Sequence, residues 1–375
     1  MLYAVVLAGG SGTRLWPESR GDRPKQLLPI YGSQSLLRAT IERVSQVVPF
    51  EQIIVATSRD LASAIQEELS FLPRDALLVE PVPRNTAPCI GLAALRLLRQ
   101  DPEAVMAVLP ADHVIEPPEA FSADIHLAVR VVEEDPTRLV TFGIPPTYPS
   151  PSFGYIERGE ALPFKQQSDQ ATTLVKPQGD RNRVFQAKGF REKPSAEVAS
   201  DYVRAGRFYW NAGIFVWKAR TIWELLQRYR PGVAGPLAQI LESTHSPHFA
   251  QILDSAFQQT EKISIDYAVM EKADNVVVIE AQFRWDDVGS WRSLERLLTL
   301  DRNGNVTDVS RCVLIDTKNC ILRCRDPQHL VAVLGVENLV IVVTPNATLV
   351  ADKNREEDLR KVLDRIKESG WSEYL

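Results

Sequence analysis

The amino-terminal stretch of the chain, residues 1–30, reads MLYAVVLAGGSGTRLWPESRGDRPKQLLPI. Its residues 2–8 form a nearly unbroken apolar run that is too short to cross a membrane. This pattern predicts a central strand of a parallel sheet whose two faces are both covered. Three glycines then let the backbone adopt positive φ angles and lie close to a bulky group: Gly9, Gly10 and Gly12. The stretch therefore predicts a buried strand that opens into a tight glycine loop.

Positive charge flanks this loop. Thr13 adds a hydroxyl group, and Arg14 and Lys25 add two cations, so the concave backbone suits a polyphosphate. A Walker A loop is excluded because no Lys-Ser or Lys-Thr pair follows the glycines. A dinucleotide fingerprint is excluded because the third glycine is missing, and Pro17 and Pro24 oppose a helix at this place.

The loop matches another signature. The pattern G-G-x-G-T-R-L-x-P, followed by P-K at residues 24 and 25, resembles that of the sugar-nucleotide pyrophosphorylases, which join a nucleoside triphosphate to a sugar 1-phosphate. The variant LAGGSGTRLWP with PKQLL is most similar to the GDP-mannose-forming branch of this family. The resemblance implies a Rossmann-like α/β nucleotidyltransferase fold, with a GT-A-like open mixed sheet flanked by helices. It also implies nucleotide contacts from eight loop residues: Leu7, Ala8, Gly9, Gly10, Gly12, Thr13, Arg14 and Lys25.

Length and composition limit the classes of protein to consider. The 375 residues are enough for two domains, and 45% hydrophobic and 24% charged residues are ordinary for a soluble globular protein. A net charge of −5 argues against a general nucleic-acid binder, because phosphate backbones are held by surplus Lys and Arg. No apolar run reaches membrane-spanning length, and the N-terminus lacks a secretory signal pattern. We therefore expect a cytoplasmic protein without a membrane partner.

The cysteines are few and lack C-x-x-C spacing, which also fits a reducing compartment: Cys89, Cys312, Cys320 and Cys324. Three of them fall in the C-terminal part. They allow either a metal site or thiols that fill the interior of strands, and the strand-filling interpretation is favoured.

Strand and helix patterns alternate along most of the chain. Strands are predicted at residues 52–57, 76–80, 104–109 and 139–144, and helices at 33–48, 60–69, 85–100 and 119–134. Short connections between such elements indicate an open α/β sheet, whose ligands bind beyond the carboxyl ends of the strands. A polar segment at residues 160–182 is predicted to be a solvated excursion.

One strand end carries the residues that suit a nucleotide base. Glu80 ends the third predicted strand, and Asn85 can cap the helix that follows it. Guanine offers N1–H and N2–H₂ donors that a carboxylate can accept, so capping and base contact both remain open from the residues alone. The string E-P-x-x-x-N-T-A-P resembles the guanine-reading segment of the GDP-mannose enzymes, and it implies contacts from Glu80, Asn85 and Thr86.

Two further strand ends carry carboxylates. Asp112 follows the apolar run at residues 104–109, where it could cap a turn or hold a divalent cation against phosphates. Mg²⁺ prefers one or two carboxylates together with phosphate oxygens and water, so Asp112 would need a partner. Matching W-x-D-x-G to the family implies that this partner is Asp287, and Asp286 is the less favoured neighbour. The expected cofactor is Mg²⁺.

A sugar-phosphate site is predicted in the second half of the strand and helix pattern. An adjacent carboxylate and ammonium, Glu192 and Lys193, suit a hexose and its phosphate, although such a run is more often a solvated surface. Asn211 lies between aromatic residues, where its amide needs partners from sugar hydroxyls or from the backbone. The segments G-Y-I-E, E-K-P and W-N-x-G resemble the hexose-contacting segments of the family and imply roles for Gly154, Glu192, Lys193 and Asn211.

The C-terminal part shows a different pattern. After turn residues at 301–305, short strands recur at 312–315, 321–324, 330–334 and 339–343 without a helix between them. We expect a nucleotidyltransferase domain over residues 1–300 and a small β domain over 306–375 with a final helix at 355–369. The resemblance implies a left-handed β-helix-like module that takes part in a homodimer.

These patterns together lead to a functional prediction. The resemblance implies that GTP and mannose 1-phosphate give GDP-mannose and pyrophosphate by in-line attack on the α-phosphorus. Five residues are expected to be catalytic: Arg14, Lys25, Asp112, Lys193 and Asp287. Two alternatives remain, a pyrophosphorylase for another base or sugar and a non-catalytic sensor of nucleotide sugars.

Overall fold

The computed structural model describes residues 1–10, 12–163, 183–243 and 246–375. Most of the predicted polar excursion, from residue 164 to 182, lies outside the described residues. The chain divides into two compact units. The sheet unit consists of Met1–Gly9, Ile41–Pro110 and Ile115–Trp285, and the β-helix unit consists of Gly10–Thr40, Ala111–Val114 and Asp286–Leu375. Each unit thus combines three separate stretches of the chain. The predicted domains are instead two consecutive ranges, and this boundary stays a prediction.

The sheet unit is built on strands that alternate with helices. Its strands are β1 (Leu2–Leu7), β2 (Ile53–Ser58), β3 (Leu77–Glu80), β4 (Val105–Pro110), β6 (Leu139–Ile144), β7 (Tyr155–Ala161), β8 (Val184–Arg191), β9 (Phe208–Lys218) and β10 (Val276–Glu280). Two short strands, β5 (Val114–Glu116) and β11 (Arg284–Asp286), lie where the chain passes from one unit to the other.

The nine strands of the sheet unit form one mixed sheet in the order β3-β2-β1-β4-β9-β6-β10-β8-β7 across the described residues. β1 pairs in parallel with β2 and β4, and β9 pairs antiparallel with β4 and β6. Val5 and Val6 of β1 are completely buried, because helices cover both faces of the sheet. The predicted open mixed α/β sheet is confirmed.

The helices follow the predicted alternation closely. They are α1 (Leu36–Val44), α2 (Ala62–Glu68), α3 (Thr86–Gln100), α4 (Pro118–Glu134), α5 (Ala196–Ala205), α6 (Ala219–Tyr229), α7 (Pro231–Glu242), α8 (Phe249–Gln259), α9 (Ser293–Leu297) and α10 (Leu359–Glu368). None of the helices in the described parts of the chain has both the length and the apolar character needed to cross a membrane.

Helix α7 was not predicted from the sequence. Two prolines and two glycines, Pro231, Gly232, Gly235 and Pro236, obscure its helical pattern. Pro231 lies in the first turn, where a missing N–H costs nothing, and buried residues such as Leu237 anchor the helix to the core. Tertiary packing therefore overrides the weak local propensity.

The β-helix unit contains the short strands that the C-terminal pattern predicts, together with one on either side. They are β12 (Val306–Val309), β13 (Arg311–Ile315), β14 (Ile321–Cys324), β15 (Leu330–Leu334), β16 (Leu339–Val343) and β17 (Thr348–Asp352). β14 pairs in parallel with β12 and β16, and β13 pairs in parallel with β15. β12, β13 and β14 thus each lie parallel to the strand two positions further along the chain. This pattern confirms a β-helix-like module.

The core of the β-helix unit also includes the chain that follows the glycine loop. Leu15, Trp16, Leu28 and Ile30 are buried in one cluster with strand residues of the module, including Val306, Ile321 and Val340. The stretch that carries Lys25 is thus packed on the β-helix strands.

Candidate active site

The glycine loop leaves β1 as a turn and not as the start of an α-helix. Ala8 is completely buried, and its N–H donates to the backbone oxygen of Ala56 at 2.8 Å. Gly10 and Gly12 have φ values of 103° and 59°, which a side chain would strain. A Cβ on Gly12 would lie 2.3 Å from Cβ of Lys25, so only glycine lets the loop pack against this lysine.

Lys25 lies between the two predicted metal ligands. Its side chain is 10% exposed, and Nζ lies 2.8 Å from Oδ2 of Asp112. The same ammonium donates a hydrogen bond to the backbone oxygen of Asp287. Burial raises the pKa of Asp112, but the charges of Lys25 and His113 outweigh it, so the pKa lies below its usual value. Asp112 is therefore ionised at neutral pH.

The two adjacent aspartates of the W-x-D-x-G segment have different surroundings. Asp286 accepts hydrogen bonds from Nε and Nη2 of Arg296 at 2.5 and 3.1 Å and from the N–H of Val288 at 2.8 Å. Asp287 accepts the N–H of Gly289 at 3.2 Å, and its side chain is 24% exposed. Nη2 of Arg296 also lies 4.0 Å from Oδ1 of Asp287, so Asp286 has the closer ion pair and Asp287 keeps the more exposed carboxylate.

This acidic group fits a divalent cation. Burial raises the pKa of Asp287, and the nearby carboxylates of Asp286 and Asp112 raise it further, against the opposing charges of Lys25 and Arg296. The carboxylates of Asp112 and Asp286 are thus close enough to Asp287 to act on its charge. No cluster of three or more acidic, histidine or cysteine side chains forms a complete metal cage in the described parts of the chain. Mg²⁺ does not need one when phosphates and water complete its shell.

The second cation of the loop is more exposed. Thr13 and Arg14 lie in the 3₁₀ helix Thr13–Leu15, and both side chains face solvent. Nη1 of Arg14 lies 3.2 Å from Oε1 of Glu357, with side-chain exposures of 43% and 72%. Such an exposed ion pair contributes little to stability, so Arg14 can leave Glu357 at small cost.

The predicted base segment lies in the sheet unit. Glu80 ends β3 with 8% of its surface exposed, and its Oε1 has no hydrogen-bond partner within the described chain. Burial raises the pKa of Glu80 to about 7, although a hydrogen bond with Cys89 lowers it. Asn85 caps α3, since its Oδ1 accepts from the N–H of Thr86 at 2.9 Å. The capping interpretation of Asn85 is therefore met, and Glu80 retains an unsatisfied acceptor.

The predicted sugar residues are neighbours within the sheet unit. A Cβ on Gly154 would lie 2.4 Å from Oε2 of Glu192 and 3.4 Å from Cβ of Asn211, so glycine lets these side chains approach the backbone. Nζ of Lys193 lies 3.1 Å from Oε1 of Glu192, and its side chain is 62% exposed. The structure thus brings all four predicted residues together and leaves the ammonium of Lys193 accessible.

Asn211 is held by the protein itself. Its Oδ1 accepts from Oγ1 of Thr141 and from the N–H of Gly213, each at 3.1 Å, and its Nδ2 donates to Oδ1 of Asp266 at 3.1 Å. The second amide hydrogen of Asn211 has no partner among the described residues. Burial and then the charge of Glu192 raise the pKa of Asp266 to about 7. The sequence could not assign Asp266, because its contact with Asn211 joins residues 55 positions apart.

Comparisons with known proteins identify the family of the chain. A family model described as nucleotidyl transferase matches residues 3–303, and one described as a MannoseP isomerase/GMP-like beta-helix domain matches residues 310–366. Proteins named mannose-1-phosphate guanylyltransferase from Klebsiella pneumoniae and Escherichia coli are each 38% identical over 379 residues, covering 100% of this chain and 76% of theirs.

Solved structures give the same result. A Thermus thermophilus protein whose structure is titled mannose-1-phosphate geranyltransferase superposes with a TM-score of 0.83 and 35% identity. The superposition covers 98% of this chain and 99% of that one. The chain therefore belongs to the mannose-1-phosphate guanylyltransferase family of nucleotidyl transferases.

Proposed function

We propose that this chain joins GTP to mannose 1-phosphate and releases GDP-mannose and pyrophosphate. The observation that carries the proposal is the contact of Lys25 with both Asp112 and Asp287, beside a loop in which Gly12 leaves no room for a side chain. Relatives that match the full length of the chain are named for this reaction.

The reaction needs positioning and charge neutralisation, and it needs no covalent enzyme intermediate. A phosphate oxygen of mannose 1-phosphate forms a bond to the α-phosphorus of GTP, and the bond from that phosphorus to the pyrophosphate oxygen breaks. Lys193 binds the attacking phosphate through its exposed ammonium. Arg14 and Lys25 stabilise the negative charge that collects on the departing pyrophosphate.

We also propose that Mg²⁺ is the cofactor and that Asp112 and Asp287 hold it. When bound, the ion neutralises phosphate charge and makes the α-phosphorus more electrophilic. The proximity of the Asp112 and Asp287 carboxylates, which both interact with the charge of the same Lys25, supports this assignment. Titration of Mg²⁺ into the metal-free protein, followed by calorimetry with GTP, should show tighter GTP binding with the ion, and Asp287→Asn should remove most of that gain.

The proposed activity is tested with a matrix of substrates. Pyrophosphate release is measured for four nucleoside triphosphates against several sugar 1-phosphates, and GTP with mannose 1-phosphate should give the highest kcat/KM. A higher value for another pair would reassign the substrates. Binding of GDP-mannose without turnover of any pair would identify a sensor and overturn the catalytic proposal.

We propose further that the chain forms a homodimer through the outer face of β13 and β15. Four large apolar side chains on this face are exposed, Val313, Ile315, Leu330 and Leu334, with exposures from 46% to 70%. Ile315 and Leu334 face each other across the two strands, so the apolar surface is continuous. A contiguous patch of this kind marks an association surface, and a second copy supplies an equally apolar face.

A cytoplasmic location is also part of the proposal. All four cysteines are free thiols, as a reducing compartment would keep them. Cell fractionation should recover the protein with the soluble fraction, and recovery in an oxidising compartment would refute this.

A further inference from the structure

Arg323 of β14 is the most deeply buried charged side chain of the β-helix unit, with none of its surface exposed. Its guanidinium carries five N–H groups, and the structure provides five acceptors. Nε and Nη2 donate to the two carboxylate oxygens of Glu18 at 2.6 and 2.8 Å. Nη1 donates to Oδ2 of Asp308 at 2.5 Å and to the backbone oxygen of Ile30 at 3.1 Å, and Nη2 also donates to that of Pro29 at 3.0 Å.

A fully buried ionic group of this kind is a costly way to obtain stability. Desolvation of the charges consumes most of their attraction, and well-packed apolar residues at such a place are often as stable or more so. What the group does provide is geometry, because the planar fork donates in fixed directions only. The arrangement is thus suited to fixing the conformation of the segment that it binds.

The segment that Arg323 binds is the one that carries Lys25. Glu18 precedes Lys25, and Pro29 and Ile30 follow it, so Arg323 holds both ends of this short stretch. Trp291 adds a second contact, since its Nε1 donates to the backbone oxygen of Trp16 at 3.0 Å. These contacts fix the position of residues 16–30 on the β-helix strands.

The contacts of Lys25 depend on the position of this segment. Its ammonium must reach Asp112 at 2.8 Å and the backbone oxygen of Asp287. Its Cβ also lies 2.3 Å from the place that a Cβ on Gly12 would occupy, so a shift of the segment would move the glycine loop as well. A misplacement of about 1 Å at a phosphate site can lower turnover about 10²-fold.

We propose that Arg323 is a positioning residue for the phosphate site. In this proposal the β-helix module serves catalysis by holding residues 16–30, which include Lys25, in one position. This inference rests on the proposed function for its kinetic consequence. It assigns the module a role beyond association between copies of the chain.

The test compares Arg323→Lys with a matched core variant. Val333 lies in a buried cluster of the module apart from Arg323, with Leu322 and Val331, and Val333→Ala should lower the unfolding temperature without changing kinetics. Arg323→Lys keeps the charge and loses the fork, and it should lower kcat and kcat/KM for GTP by about 10- to 100-fold while KM for mannose 1-phosphate stays unchanged. Glu18→Gln should shift the same constants in the same direction, and it provides the answer if Arg323→Lys does not fold.

Two results separate this inference from the proposed function. If Arg323→Lys and Glu18→Gln lose only as much stability as Val333→Ala and keep GTP kinetics within twofold of the unchanged protein, Arg323 is merely structural. If the unchanged protein turns over no substrate pair, the proposed function fails, and the dissociation constant of Mg-GTP then decides the inference. A tenfold weaker constant in Arg323→Lys, with no change in Val333→Ala, supports it, and equal constants overturn it.

Discussion

Lys25 is the residue on which we expect the proposed phosphate site to depend most. It is the cation that touches both predicted metal ligands, and it is nearly buried, so solvent screens its charge only weakly. Arg14, in contrast, is exposed and paired with Glu357 across an exposed surface. The two cations that the sequence treats alike therefore have different surroundings, and the larger effect is expected from the buried one.

Lys25→Met should lower kcat about 10²-fold or more while the protein still folds. The substitution keeps the apolar stem of the side chain and removes the charge that stabilises the leaving group. Asp112 then loses its partner, but at 26% side-chain exposure water can solvate it. Pyrophosphate release and a thermal melt are measured side by side, with Lys367→Met on the exposed surface of α10 as control. Turnover equal to that of the control would remove Lys25 from the mechanism.

Glu80 should make GTP binding depend on pH near neutrality. Its pKa in the free protein is about 7, because burial disfavours the charged form. The carboxylate can accept from both N–H groups of guanine, whereas the protonated acid offers a donor of its own. The affinity for GTP should therefore rise as pH increases through 7 and fall below it, by up to about tenfold per pH unit.

The matched variant for this prediction is Glu80→Gln, which does not titrate. Its KM for GTP should be higher at pH 8 and should lose the pH dependence that Glu80 causes between pH 6 and 8. Both proteins meet the same ionisation of the triphosphate, so the difference between their profiles isolates Glu80. Parallel profiles would show that Glu80 does not contact the base.

The glycine loop acts as an element whose positions have different requirements. Gly12 has a φ of 59° and no room for a Cβ, whereas no atom of the described residues lies within 4 Å of the place that a Cβ on Gly9 would occupy. The first position is thus limited by the fold. The second is open in the free protein, so any demand for glycine there comes from the ligand.

Two alanine substitutions separate these requirements. Gly12→Ala should lower the unfolding temperature and turnover together, because it displaces Lys25. Gly9→Ala should leave the unfolding temperature unchanged and raise KM for GTP several-fold. Thermal melts and steady-state kinetics are measured on both proteins. A kinetically silent Gly9→Ala would mean that the triphosphate does not approach the backbone at this residue.

Sequence patterns could predict the elements because their causes are local. The apolar run of β1 and the alternation of strands with helices lie within short windows and are confirmed, and so is the positive φ expected at Gly10 and Gly12, though Gly9 does not share it. Local reasoning fails at α7, where proline and glycine hide a packed helix. It also cannot distinguish Asp286 from Asp287, since the partner that occupies Asp286 is Arg296 on the following helix.

The molecule as a whole contains contacts that no pattern in the sequence predicts. Arg323 and Glu18 lie 305 positions apart, and a lone arginine in a short strand predicts nothing about a phosphate loop. The sequence also does not predict which residue Asp266 contacts, and the structure shows that it is Asn211. Family resemblance supplied the candidate residues, whereas the supports behind them are visible only in three dimensions.

The apolar face of β13 and β15 makes a prediction at the scale of the assembly. Leu334 is 70% exposed, and Leu334→Glu should convert a dimer into monomers, because a charge would be buried in the apolar contact. Val350→Glu is the control, since Val350 is 62% exposed on β17, outside this face. Light scattering distinguishes a mass of 42.0 kDa from twice that value. A monomeric unchanged protein, or an unaffected Leu334→Glu, would contradict the proposed interface.

Because each unit combines separate stretches of the chain, the two units are not synthesised one after the other on the ribosome. The β-helix unit needs Gly10–Thr40, Ala111–Val114 and Asp286–Leu375 at once. Lys25 is made 262 residues before the carbonyl group that accepts its hydrogen bond, which at translation speed is roughly 13–50 s. A nascent chain can therefore complete most of its large sheet before the β-helix strands that hold the glycine loop have been made, and the proposed triphosphate site can form only after those strands.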